Sequence, residues 1–183
     1  MSIRDEIKAR IDDKRLSLLR PVFDSDPVVR TMVISNDIKA LIEGPWADAS
    51  WERRCNRLRA DLEAFVIGDV LAVCLTPYEA DSAYLGRLNK AEDEVWDIRA
   101  RDPNPALRVF GRFAERDTFV ALFWSPRSVE IPYSQRLPLG AGDSIQWKSA
   151  VRECKAEWRK LFHTYNPVHG DTPDVYVSNS FLV

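Results

Sequence analysis

The chain has 183 residues, with 26 Lys and Arg against 28 Asp and Glu and 45% hydrophobic residues. This balance suits one globular domain with a sizeable core, or a small domain with an appendage, and six tryptophans and eight phenylalanines exclude a disordered chain. A formal net charge of −2 excludes a globally basic nucleic-acid binder, so any anion site has to be a local patch.

Residues 3–19 read as a helix. Ser2 and Asp5 have capping-box spacing, and Ile3, Ile7, Ile11 and Leu18 form a thin apolar stripe that Pro21 closes. Residues 27–43 are ambiguous between helix and strand. Asp26-Pro27 can open a helix and Gly44-Pro45 can close it, although VVRTMVIS is rich in β-branched residues, and the helical reading is the one adopted. Residues 48–65 form a clearer helix, with Trp51, Cys55, Leu58, Leu62 and Phe65 on one seam. VIGDVLAVCL (66–75) reads as a buried strand, and residues 77–93 as irregular or briefly helical.

From Glu94 the pattern turns to β. VWDIRAR is a strand, DPNP a turn, and LRVFGRF and TFVALFW flank a hairpin loop at AERD. PRSVEIPY reads as an edge segment because its prolines cannot donate to a central ladder. Residues 145–165 form the strongest helix, with Trp147, Val151, Cys154, Trp158, Leu161 and Tyr165 on its apolar seam and Asn166-Pro167 at its end. VYVS in the tail is read as a last strand. The expected fold is α+β: an antiparallel sheet with helices packed on one face and an N-terminal helical extension, divided as 1–47 and 48–183. Trp96, Ile98, Val109, Phe113, Val120, Leu122, Trp158 and Leu161 are expected in one core.

Cys55, Cys74 and Cys154 are widely spaced and odd in number, which predicts buried free thiols and neither zinc nor a disulfide framework. The charged N-terminus lacks an apolar signal core and no run reaches membrane-spanning length, so a cytoplasmic, membrane-free location is expected. No cofactor motif is present: phosphate loop, dinucleotide fingerprint and nucleophile elbow are all missing. His163 and His169 lie near Asp171 and Asp174, a spacing more typical of loop histidines than of metal ligands.

Six arginines and no lysine fall in residues 95–127. Alternation puts Arg108, Phe110 and Arg112 on one strand face, and Asp97, Arg99 and Arg101 on one face of the preceding strand. Guanidinium forks beside an aromatic ring suit a nucleotide phosphate and its base, while the ordinary alternative is cross-strand Asp–Arg pairing on a wet sheet. Lys148, Arg152, Lys155 and Arg159, followed by His163, line one flank of the last helix, a second candidate anion surface.

Residues 95–133 resemble the sheet of RelE/HigB-type toxins of toxin–antitoxin modules. The similarity lies in Asp97-Ile98-Arg99, Arg108-Val109-Phe110, the apolar strand Phe119–Trp124, Arg127 at its end, and Tyr133 six positions later. The N-terminal 65 residues and the long C-terminal helix have no counterpart in that family. The resemblance implies metal-independent endoribonuclease chemistry, in which a ribose 2′-hydroxyl attacks the adjacent phosphate of messenger RNA on the ribosome. It implies Arg99, Arg108 and Arg127 as phosphate contacts stabilising the transition state and Tyr133 as a proton-transfer group, with an antitoxin-like protein as partner. Two other classes fit the same residues. One is a protein-interaction module derived from a phage or mobile element, signalled by exposure of Trp51, Trp124 or Trp147. The other is a small nucleotide- or anion-binding domain with Arg99 and Arg108 as clamps.

Overall fold

The structure, a computed structural model, describes residues 2–76, 82–88, 90–103, 106–126 and 145–183, and in the last segment the side chains from Lys148 onward. Helix α1 (Ile3–Asp12) starts on the expected capping box: the Ser2 hydroxyl accepts the Asp5 amide, and the Asp5 carboxylate accepts the Ser2 amide at 2.7 Å. It stops earlier than the sequence suggests. Lys14 adopts a left-handed conformation (φ 64°), and the chain reverses into strand β1 (Leu16–Leu18), burying Leu16. Strand β2 (Thr31–Ser35) then precedes helix α2 (Asn36–Glu43), which corrects the reading of 27–43 as one helix. Ser35 ends the strand and caps the helix by accepting the Ile38 amide.

Helix α3 (Ala49–Ile67) is capped by Asp48 and buries the predicted seam of Cys55, Leu58, Leu62 and Phe65. It extends through Ile67 because Gly68, with φ 91°, supplies the left-handed C-terminal stop. Strand β3 (Leu71–Cys74) is correspondingly shorter than the predicted strand 66–75. Within the segment read as irregular or briefly helical, a short 3-10 turn (Ala91–Asp93) forms, and so does an unexpected strand, β4 (Leu85–Arg87). Strands β5 (Trp96–Ala100), β6 (Leu107–Glu115) and β7 (Thr118–Pro126) follow the predicted meander. Helix α4 (Ile145–Leu161) is followed by a second 3-10 turn (Pro173–Val175) where VYVS begins, and the last strand, β8, lies further on at Ser180–Leu182.

All eight strands belong to one sheet, ordered β1-β2-β7-β6-β5-β4-β3-β8. The run β7-β6-β5-β4 and the pair β1-β2 are antiparallel, whereas β2-β7, β4-β3 and β3-β8 are parallel. The sheet is therefore mixed, which corrects the expected antiparallel one. The helices also occupy both faces. Met32, Ile34, Trp96, Ile98, Val109, Phe113 and Phe119 pack with α2 and α3. Val33, Phe110, Val120 and Leu122 pack with Ile7 of α1 and with Val151, Cys154, Trp158 and Leu161 of α4. The eight residues expected in one core are all buried, divided between these two layers.

Between β6 and β7 the register slips, with Phe110 opposite Phe123 but Gly111 opposite Ala121, so Leu122 is an extra residue. Glycine is required opposite the bulge: a Cβ on Gly111 would lie 2.3 Å from the Val120 carbonyl oxygen and 2.6 Å from the Phe119 ring.

Candidate anion site on the sheet

Alternation along β5 sends Trp96, Ile98 and Ala100 toward α3 and leaves Asp97 and Arg99 on the opposite side. On β6 the same rule places Arg108 and Arg112 on that side with Phe110. The antiparallel register sets Arg99 directly opposite Arg108. Two guanidinium groups so placed repel each other unless an anion lies between them. Asp97 supplies it: its Oδ2 accepts from Arg99 Nε at 2.9 Å and from Arg108 Nη1 at 3.0 Å. The carboxylate is fully buried, while the two arginine side chains keep 12% and 11% of their surface exposed. Asp97 Oδ1 has no hydrogen-bond partner among the described residues. Two guanidinium groups thus converge on one carboxylate oxygen, at a surface where both reach solvent.

The other predicted anion-binding residues are dispersed. Arg112 is buried under α4, 5.4 Å from the Trp158 ring centre, and donates to the backbone oxygens of Asp93 and Glu94. Burial pulls its guanidinium below the usual arginine range. It pins the 3-10 turn before β5 to the sheet. Arg101 turns back to the Ala83 carbonyl at 2.8 Å. Lys155 pairs with Asp93 on the same turn. Lys148, Arg152 and Arg159 are exposed on α4. Arg127 and Tyr133 lie outside the described residues.

A second buried carboxylate carries no signal in the sequence. Glu94, 2% exposed and with φ 49°, ends the 3-10 turn two residues before β5, at the opposite end of that strand from the arginine pair. Its oxygens accept from Tyr176 Oη at 2.9 Å and from Trp96 Nε1 at 3.2 Å, and face Arg87 Nη1 at 3.5 Å. His169 Nδ1 lies 2.7 Å away, with the rest of its side chain largely exposed. Arg87 also donates to the carbonyls of Leu75 and Gly170. Burial, with the adjacent Glu94 carboxylate second, pushes the Tyr176 hydroxyl up to about 12. From sequence His169 is legible only as a loop histidine; its partner lies 75 positions earlier in the chain. Among the described residues no group of three or more potential metal ligands occurs.

Arg30 is a further buried cation that no sequence pattern flags. Its guanidinium donates to the carbonyls of Phe65, Asp69 and Ser178 and lies 3.5 Å from Asp117. It ties the end of α3 to the C-terminal tail. Cys55, Cys74 and Cys154 are buried free thiols, and burial pushes Cys154 up to about 12. Among the described residues no helix is long and apolar enough to cross a membrane.

The fold and site define a mixed-sheet α+β protein with an opposed arginine pair on one sheet face. Comparison with protein-family models, with curated proteins and with solved structures finds no match in any of the three.

Proposed function

We propose that this protein binds RNA through phosphate, using the Arg99–Arg108 pair on β5 and β6. One observation carries the reading: two guanidinium groups from facing strands share a single carboxylate oxygen, and their largely buried side chains keep 12% and 11% of their surface exposed. Phosphate presents paired acceptor oxygens that guanidinium forks match, and partial desolvation strengthens such contacts. Helix α4 packs on the face of the sheet that carries Phe110, and its exposed cations Lys148, Arg152 and Arg159 would add contacts to the backbone of a longer strand. Metal-independent endoribonuclease chemistry is the finer form of this reading that the RelE/HigB resemblance implies, with Arg127 and Tyr133 as the remaining participants and an antitoxin-like protein as partner.

The test is filter binding of a single-stranded RNA. Affinity should fall steeply between about 50 and 200 mM salt, by roughly a hundredfold for four or five phosphate contacts. Replacing both arginines with lysine keeps the charge opposite Asp97 but removes the forks, and should weaken binding about tenfold or more while the protein stays folded. Absence of RNA binding by the folded wild type at low salt would reject the proposal.

Tryptophan exposure would have favoured a protein-interaction module. Trp51 and Trp124 are instead half-buried against each other, with ring centres 6.0 Å apart, and the Trp147 side chain lies outside the described residues.

A further inference from the structure

On the α3 side of the sheet, a cavity of about 360 Å³ opens at the start of α3, lined by Ala47, Asp48, Ser50, Trp51 and Arg54. That volume lies in the range of small-ligand sites. The Asp48 carboxylate is already engaged in capping, accepting the Trp51 amide at 2.9 Å, so its charge rests on the helix amides. Arg54 is different. Its guanidinium carbon lies 5.7 Å from the Trp51 ring centre, and its buried Nε has no acceptor among the described residues. No ion pair compensates it among the described residues. A buried N–H without an acceptor is costly, and a stability role for Arg54 leaves it unexplained.

The Trp51 ring is held in place from behind. Trp124, near the end of β7, contacts it at 59° between planes, and α3 fixes its backbone. The lining therefore combines a positioned aromatic surface, a guanidinium that lies over that ring with no ion pair among the described residues, and the Ser50 hydroxyl. These are the three functions that recognise a nucleotide: a π surface for the base, a cation for the phosphate, and a hydroxyl for phosphate or ribose oxygens. We infer that this cavity is a nucleotide-binding site, with the base against Trp51 and the phosphate on Arg54. Trp124 sits opposite Val109, next to Arg108 on β6, so the cavity and the arginine pair lie near the same end of the sheet on opposite faces. The cavity is independent of the Arg99–Arg108 pair, and its ligand is either a free nucleotide or one nucleotide of an RNA strand.

Isothermal titration of the full chain tests the assignment with AMP, adenosine, inorganic phosphate and a pentauridylate. AMP should bind at least about tenfold more tightly than adenosine or phosphate alone, because only AMP satisfies both halves of the site. Arg54→Gln should weaken AMP about tenfold and leave adenosine unchanged, with an unaltered melting temperature, since Arg54 pairs with no carboxylate among the described residues. Arg99→Lys with Arg108→Lys should leave AMP affinity unchanged. AMP binding with a stronger response to pentauridylate points to an RNA strand, and AMP binding alone to a free nucleotide; both support the site. No AMP binding by the folded wild type, phosphate binding as tight as AMP, or an unaffected Arg54→Gln overturns it. Pentauridylate binding that is lost in the double lysine variant, in a protein that ignores AMP, would sink this inference and leave the sheet proposal standing.

Discussion

Two buried carboxylates, Glu94 and Asp97, stand three positions apart at β5, and they are built differently. Glu94 is closed: Trp96, Tyr176, Arg87 and His169 converge on it from three parts of the chain. Asp97 is more sparsely bonded: two arginines share one of its oxygens, and the other oxygen has no partner among the described residues. A closed hub locks the C-terminal tail to the sheet. The Asp97 hub gathers two cations on one carboxylate oxygen, and their side chains keep 12% and 11% of their surface exposed. The difference shows that an arginine's role follows from what its guanidinium meets, and sequence alternation alone does not supply that.

The two hubs separate most widely in stability. Glu94→Ala should cost about 3–5 kcal/mol, because it removes the buried carboxylate that faces Arg87 and accepts from Tyr176 and Trp96, and urea denaturation will measure it. Arg99→Ala combined with Arg108→Ala strips Asp97 of both partners and should also destabilise by about 3–5 kcal/mol, so the lysine pair is the cleaner probe of binding. Asp97→Ala should cost less, about 1–3 kcal/mol, because among the described residues only Arg99 and Arg108 bond to Asp97, whereas Trp96, Tyr176, Arg87 and His169 all meet Glu94. Equal losses for Glu94→Ala and Asp97→Ala would erase the distinction between the hubs.

Tyr176→Phe sharpens the same contrast at a smaller scale. Losing the hydroxyl should cost about 1–3 kcal/mol, since Glu94 and Gly170 both use it. Its pH dependence is a finer signature. The folded hydroxyl is held up to about 12, against an ordinary value of 10.0, so the folded state keeps a proton that the unfolded chain gives up. That contribution is fully present below about pH 10 and is lost as pH rises toward about 12. Stability measured across that window should therefore fall, and Tyr176→Phe should make the fall shallower.

How far these features are legible in the sequence varies by element. The meander 95–124 and the seams of α3 and α4 follow from alternation and helical spacing, which are local signals. Strand β2 hides from them because Met32, Val33 and Ile34 are all buried, with helices covering both faces, and a strand buried on both sides does not alternate. The same two-sided burial turns one expected core into two layers. Gly68 sits in a run that reads as strand, although it stops α3. The opposition of Arg99 and Arg108 is suggested by alternation and set by register. Glu94 and Arg30 are invisible to both, because their partners come from segments up to 82 and 149 positions away. No local pattern encodes such pairings.

The measurement that bears most directly on the arginine site is RNA affinity of Asp97→Asn against wild type, by filter binding at fixed salt and at a temperature where both are folded. The substitution keeps the shape of aspartate and removes the internal anion that competes with phosphate for Arg99 and Arg108. Tighter binding is expected in the variant, by about tenfold, with a steeper salt dependence. Unchanged or weaker binding by a folded Asp97→Asn protein would contradict the proposal and reduce the arginine pair to a structural contact.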